Sequence, residues 1–192
     1  MKQKDVIPAG NEWLEKDIRE FPGAPASRIG DGWTLITSGN VAADTSNWNT
    51  MTASWGGLGV LWGRDVAFIF IRPGRYTFEF VNDNPFFSIS FFDIADTSSR
   101  KALAVCGGKS GRDIDKAQEA GITPIAFKDG TIGFKEAAEV ISCRKLYTHD
   151  FDPAQFLDPL IDAECYPQKD YHRLFVGEIK ALRVRAGDTG NR

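Results

Sequence analysis

The run Phe86-Phe-Ser-Ile-Ser-Phe-Phe92 has few ways to fold other than as a strand. Aromatic and β-branched residues fit a pleated surface, and no polar stripe at helical spacing interrupts them. Ser88 and Ser90 share one face of it, which then offers hydroxyls. The same reading gives strands at Trp33–Thr37, at the wholly apolar Val66–Ile71, at Val140–Leu146 and at Leu174–Val184. In the last of these the alternation breaks near Gly177, which predicts a bulge or a close backbone approach. Helical signals lie between the strands. Arg75–Asn82 reads as a short helix, Thr97 as the cap of Ser98–Cys106, and Arg112–Ala120 as a helix stopped by Gly121, with Asp113 and Asp115 in its first turn. Strands before and after a helical insertion predict an α+β, mainly antiparallel barrel with short peripheral helices, in preference to a parallel doubly wound sheet.

A chain of 192 residues, 42% of them hydrophobic, can bury one substantial core. The expected division is a charged, proline-bearing lead-in over 1–32 that wraps the surface, with a short helix around Glu12–Arg19; a domain over 33–185; and a frayed tail over 186–192. A formal charge of -3 gives no electrostatic reason to approach nucleic acid or anionic lipid. The uncharged run from Thr45 to Gly63 is too rich in Asn, Thr, Ser and Gly to span a membrane. Met1–Phe21 lacks a basic start followed by an apolar stretch, which predicts no secretory signal. Cys106, Cys143 and Cys165 are odd in number and without C-x-x-C spacing, which argues against disulfides or zinc and fits the cytoplasm.

Chemistry concentrates in Asn49-Thr-Met-Thr-Ala-Ser-Trp-Gly-Gly57. Thr50, Thr52 and Ser54 alternate with Met51, Ala53 and Trp55, the period of a half-buried strand with a hydroxyl face. Alone, that pattern better describes an ordinary edge strand with threonines on its wet side. Downstream, Arg72-Pro-Gly-Arg75-Tyr-Thr77 ends the apolar strand, and the Pro-Gly turn can bring both arginines to one place. Cations, hydroxyls and an indole together suit a phosphorylated aromatic ligand. Trp13, Trp33, Trp48 and Trp62 read as core packing. Gly57-x-Gly59 lacks a third glycine, with Trp62 in its place, and Gly108-Lys109-Ser110 lacks the earlier glycine of a phosphate loop, so neither a Rossmann nor an NTPase motif is present. His149 and His172, near Asp150 and Asp170, match no metal template.

In this order the segments resemble the flavin reductase-like, FMN-binding split-barrel family, in particular its flavoredoxin-like branch. The matching residues are Asn49–Gly57, Arg72-Pro-x-Arg75-Tyr-Thr77, Lys109-Ser-Gly-Arg-Asp113, Asp170-Tyr-His172 and Gly177-Glu178, over about Trp33 to Val184. The resemblance implies a six-stranded split β-barrel of Greek-key type, non-covalently bound FMN and a homodimer. It implies that Asn49, Met51, Thr52, Ala53, Ser54, Trp55, Arg72, Arg75, Tyr76, Thr77, Ser88, Lys109 and Ser110 bind the cofactor, and that His172 lies near the flavin. Within that set, Trp55 would touch the isoalloxazine, and Arg72, Arg75, Thr77 and Ser54 would hold the phosphate. Asn49 and Ser88 would meet the ring edge or ribityl chain, and Lys109 and the backbone of Thr52–Trp55 the N1 side. Three functions remain open on the residues alone: hydride transfer from NADH or NADPH to FMN, with a monooxygenase as possible recipient of reduced flavin; electron exchange with a redox protein; or a non-redox barrel for another phosphorylated aromatic.

Overall fold

The computed structural model describes residues 2–42 and 44–186; beyond residue 186 the expected frayed tail lies outside the described residues. In chain order the elements are β1 (Ile7–Pro8), β2 (Trp13–Lys16), a 3-10 turn (Ile18–Glu20), α1 (Pro25–Gly30), β3 (Thr34–Gly39), β4 (Trp48–Ala53), β5 (Gly56–Leu61) and β6 (Arg64–Ile71). There follow α2 (Tyr76–Asp83), β7 (Phe86–Phe91), α3 (Thr97–Gly108), α4 (Lys116–Ala120), β8 (Pro124–Ala126), β9 (Ile132–Phe134), β10 (Glu139–Asp150), a second 3-10 turn (Pro153–Gln155), α5 (Pro159–Cys165) and β11 (Arg173–Arg185). The fold is α+β and mainly antiparallel. Eight strands form one sheet in the order β4-β3-β7-β10-β11-β6-β5, with β2 also paired to β11. A small sheet, β1-β8-β9, contains the one parallel pair, β1 with β8.

The strand path is open: among the described residues no pairing joins β4 to β5 or closes a six-stranded ring, so the six strands expected of a split barrel are not delimited by the hydrogen bonding. The sheet nevertheless curls. Met51 and Ala53 of β4 share one buried cluster with Ile36, Phe87, Ile89, Phe91, Ile141, Phe175 and, from β6 near the other edge, Ile69 and Ile71. Burying each such side chain contributes about 1.5–3 kcal/mol, so the inner faces of six strands close on one another. The outer face of β3, β4 and β10 meets α3, α4 and the small sheet in a second cluster containing Leu35, Trp48, Leu103, Cys106, Ile125, Phe134 and Val140.

Most predicted elements are present with shifted ends. β7 is where Phe86–Phe92 placed it, and α2 begins one residue later than expected. α3 is capped by Asp96, whose carboxylate accepts from the Ser98 and Ser99 amides, rather than by Thr97. Asp115 caps α4, so the helix starts at Lys116 instead of Arg112, and Gly121 ends it at φ 73° as expected. Gly177 carries both expected features: the β10–β11 register slips beside it, and a Cβ there would lie 2.5 Å from Phe87 Cζ.

Three expectations are corrected. Glu12–Arg19 is not a helix: Trp13–Lys16 pairs with Leu182–Arg185, so sheet pairing overrides local helical preference. The lead-in does contribute to the core, through Val6 and Ile29. Trp33 and Trp62 are exposed instead of packed inside, at 46% and 58%. Trp62 and Gly63, both at positive φ, make the two-residue hairpin turn between β5 and β6, whose twist leaves the indole outside.

Candidate functional site

β4 is the last strand of its sheet, so one of its edges carries backbone groups that no strand pairs. Where it ends, a cleft of about 210 Å³ opens, lined by Met51, Thr52, Ala53, Ser54 and Trp55 together with Phe70, Arg72, Arg75 and His172. Trp55 stays 45% exposed, with its ring centroid 5.0 Å from that of His172. The Ser54 hydroxyl has no protein partner among the described residues and is free for a ligand.

The two arginines differ. Arg72 is already committed: Nη1 donates to Asp170 Oδ1 at 2.6 Å, Nη2 to the Cys165 carbonyl at 2.8 Å, and the guanidinium lies 5.0 Å from the Tyr166 ring centre. Its hydrogen bond holds the Asp170 carboxyl below the usual carboxylate range. Arg75 donates only to the Gly107 carbonyl, at 2.8 Å, and has no carboxylate partner among the described residues. It is also the N-cap of α2, whose first turn no side chain caps. A guanidinium at a helix N-terminus that no side chain caps suits an anion.

His172 is buried, and Nδ1 lies 2.8 Å from the Tyr166 hydroxyl. Burial pushes the imidazole down to about 4, Arg72 adds to the effect, and Asp170 opposes it. At neutral pH His172 is therefore an uncharged hydrogen-bonding wall. Burial likewise raises the Tyr166 phenol above its ordinary value.

Behind the cleft floor Lys116 is 3% exposed, with Nζ donating to the Thr50 carbonyl at 2.7 Å and to the Cys106 carbonyl at 2.9 Å. Burial brings its ammonium down to about 8; the Cys106 thiol opposes that shift, and Arg75 adds to it.

Of the predicted ligand-binding residues, the cleft gathers Met51, Thr52, Ala53, Ser54, Trp55, Arg72 and Arg75, with His172 beside them. The others are placed elsewhere. Ser88 is fully buried and donates to the Ile132 carbonyl, because the outer face of β7 lies under β9. Asn49 is also fully buried and donates to Thr77 Oγ1 at 2.9 Å, so both face the interior. Tyr76 stacks under the Arg112 guanidinium, Lys109 pairs with Glu119, and the Ser110 hydroxyl accepts from the Arg112 amide. The hydroxyl row itself is partly spent: within the cleft Thr52 Oγ1 donates to the Leu103 carbonyl at 2.5 Å, and the fully buried Thr50, outside it, donates to the Ile36 carbonyl. His149 is exposed and stacks on Tyr147, away from the cleft. Phe70, Tyr166 and Lys116 were not singled out from sequence. Phe70 could have been, since it alternates with the inward Ile69 and Ile71; Tyr166 and Lys116 carry no local signal.

Fold and cleft together define an α+β protein with an antiparallel sheet and a polar, aromatic-walled cleft at a sheet edge. The flavin reductase like domain model matches residues 26–191, and the chain belongs to that family. No curated protein matches the sequence. Among solved structures it is similar to flavoredoxin from Methanosarcina acetivorans (22% identity, TM-score 0.58, 79% of this chain and 67% of that one). It is also similar to an FMN-binding domain of a flavin reductases-like enzyme from Shewanella baltica OS155 (14%, 0.62, 92% and 79%). A third is a Streptomyces globisporus C-1027 NADH:FAD oxidoreductase in complex with NAD and FAD fragments (17%, 0.58, 80% and 74%). At these identities the likeness is one of fold.

Proposed function

We propose that the chain binds FMN non-covalently in this cleft and passes hydride to it from NADH or NADPH. One observation carries the reading: the free edge and loop of β4, the half-exposed Trp55 and the uncommitted Arg75 at the α2 N-terminus all face one cleft. The donor set fits. Backbone groups and Ser54 suit the polar edge of an isoalloxazine, Trp55 and Phe70 its faces, and Arg75 with the first turn of α2 its phosphate. When bound, the flavin supplies the redox chemistry; the protein holds and orients it and shields one face. Arg72 acts in this reading as a brace that ties Asp170 and Tyr166, and through them His172, to the cleft wall, and not as a phosphate ligand.

A volume of about 210 Å³ is below the ~300–1,000 Å³ of most ligand pockets. Trp55, Val60 and Trp62, all exposed, lie on or beside β5, the other free edge of the sheet. A small, open cleft and an uncovered apolar edge both support a homodimer in which a second copy completes the enclosure. We read the curled sheet, with β4 and β5 as its unjoined edges, as the split barrel. Buried free thiols at Cys106 and Cys143 suit a reducing cytoplasm.

The test is anaerobic stopped-flow absorbance on protein loaded with FMN. Bleaching by NADH or NADPH within seconds is the expected result. Bleaching by dithionite or a reduced redox protein alone would replace the reductase with an electron carrier, and failure to take up FMN at micromolar concentration would remove the flavin reading altogether, leaving another phosphorylated aromatic as the ligand.

A further inference from the structure

Lys116 is a buried cation with no carboxylate to answer it among the described residues. Both of its side-chain hydrogen bonds go to neutral carbonyls, although a buried ammonium is ordinarily tolerated only when paired. The charged and polar groups around it do not supply the missing charge. On its own helix, Asp115 is occupied as the α4 cap and Glu119 pairs with Lys109. From α3, the Cys106 thiol is pushed up to about 11 by burial and is therefore neutral. From the lead-in, Gln3 accepts from the Lys116 amide but carries no charge, and β4 contributes only the Thr50 carbonyl.

The charged side chain that adds to the depression of the Lys116 ammonium is a second cation, Arg75. Lys116 takes the carbonyl of Cys106, and Arg75 takes that of Gly107, the next residue in the last turn of α3. A helix C-terminus offers roughly half a negative elementary charge. Two full positive charges exceed it, and the surplus lies against the cleft: Arg75 lines it, and Lys116 holds the carbonyl of Thr50 immediately before Met51.

We propose that Lys116 and Arg75 form an unneutralised cation pair whose counter-charge is an anionic group of the ligand, a phosphate monoester. Arg75 meets that group directly. Lys116 is a positioning residue that stays beneath the floor, fixes the free edge of β4 against α3 and adds its field to that of Arg75. The inference rests on the flavin reading for the identity of the monoester, but not for the charge itself.

Two flavins differing by the phosphate separate the possibilities. Lys116→Gln keeps a hydrogen-bond donor and removes the charge. Its affinity for FMN should fall about tenfold or more, while that for neutral riboflavin changes less than about twofold. Inorganic phosphate, compared with chloride at equal ionic strength, should raise the unfolding midpoint of the wild type more than that of Lys116→Gln, each read against its own phosphate-free value. Loss of FMN and riboflavin affinity together would reduce Lys116 to a structural role, and unchanged FMN affinity would overturn the proposal. If the wild type binds neither flavin, the flavin reading fails separately and the phosphate comparison decides: equal stabilisation of both proteins, or none, ends the cation-pair idea. Should the variant not fold, calorimetry of the wild type near pH 8 in two buffers of different ionisation heat replaces it. FMN binding should draw a fraction of a proton onto Lys116 and riboflavin binding none; equal proton uptake, or none with FMN, refutes the proposal.

Discussion

Removing Arg72 and removing Arg75 should produce opposite symptoms, although the sequence presents the two as equivalent ends of one turn. Arg72→Ala breaks a hydrogen-bonded ion pair whose side chains are 27% and 35% exposed, and leaves the Cys165 carbonyl without its donor. An exposed pair contributes about 0–1 kcal/mol and breaking a buried one costs about 3–5, so this half-buried case falls at about 1–2 kcal/mol. For a domain of this size that is a fall of about 2–8 °C in the unfolding midpoint. Arg75→Ala removes one exposed hydrogen bond to Gly107 and should move the midpoint by no more than about 1–2 °C. The same change removes the charge facing the ligand phosphate and should weaken FMN by roughly 1.5–3 kcal/mol, about ten- to hundredfold. Thermal unfolding by circular dichroism and titration of flavin fluorescence measure the two effects on the same samples. Undiminished FMN affinity in Arg75→Ala, or a loss of stability in it equal to that of Arg72→Ala, would refute the division of roles.

Gly177→Ala should destabilise by about 1–3 kcal/mol in urea unfolding, because its Cβ would lie 2.5 Å from Phe87 Cζ and 2.8 Å from Cys143 Cβ; a neutral result would mean that the β10–β11 bulge yields freely. His172 has a folded pKa of about 4, below its unfolded value of about 6.5, so the unfolded state binds the extra proton between them. Stability should therefore fall as pH drops from 6.5 to 4, by on the order of 3 kcal/mol at most, and His172→Gln should show a shallower decline in unfolding midpoint over that window; parallel curves would contradict a buried neutral imidazole. Light scattering should give a mass near twice 21.2 kDa, and a single-chain mass at working concentration would remove the homodimer.

The strands were legible because their residues choose a conformation locally: Phe86–Phe91 and the apolar part of β6 are mostly β-branched or aromatic. β2 was not, because Trp13-Leu-Glu-Lys16 acquires its conformation from Leu182–Arg185, far away in the chain. β5 was hidden because Gly56, Gly57 and Gly59 carry little strand preference of their own, and they form an edge strand by pairing with β6. Of the site, alternation marked the strand but not its end or its faces: β4 stops at Ala53 and Thr50 is fully buried, while residues from both faces, Met51–Trp55, line the cleft together with Arg72 and Arg75 from either side of the Pro73-Gly74 turn. Alternation does not say which hydroxyls already have partners. Thr52 and Ser88 spend theirs on carbonyls of Leu103 and Ile132, elements distant in sequence. Tyr166 and Lys116 matter through contacts with His172 and Thr50 that no spacing rule announces.

β11 gives its first half to β6 and its second half to β2, while β10 runs along its other side. The sheet is therefore held together by pairings such as Lys16 with Leu182 and Phe70 with Leu174, which close very long loops before they gain anything. Chains whose native contacts are this non-local fold slowly, on the order of milliseconds to seconds. Until β11 docks, β6 and β10 each expose an edge, and the wall carrying His172 has nothing to stand on. The cleft should accordingly be among the later parts of the molecule to form. A ligand that binds only the finished cleft would then act mainly by slowing unfolding, with little effect on the rate of folding.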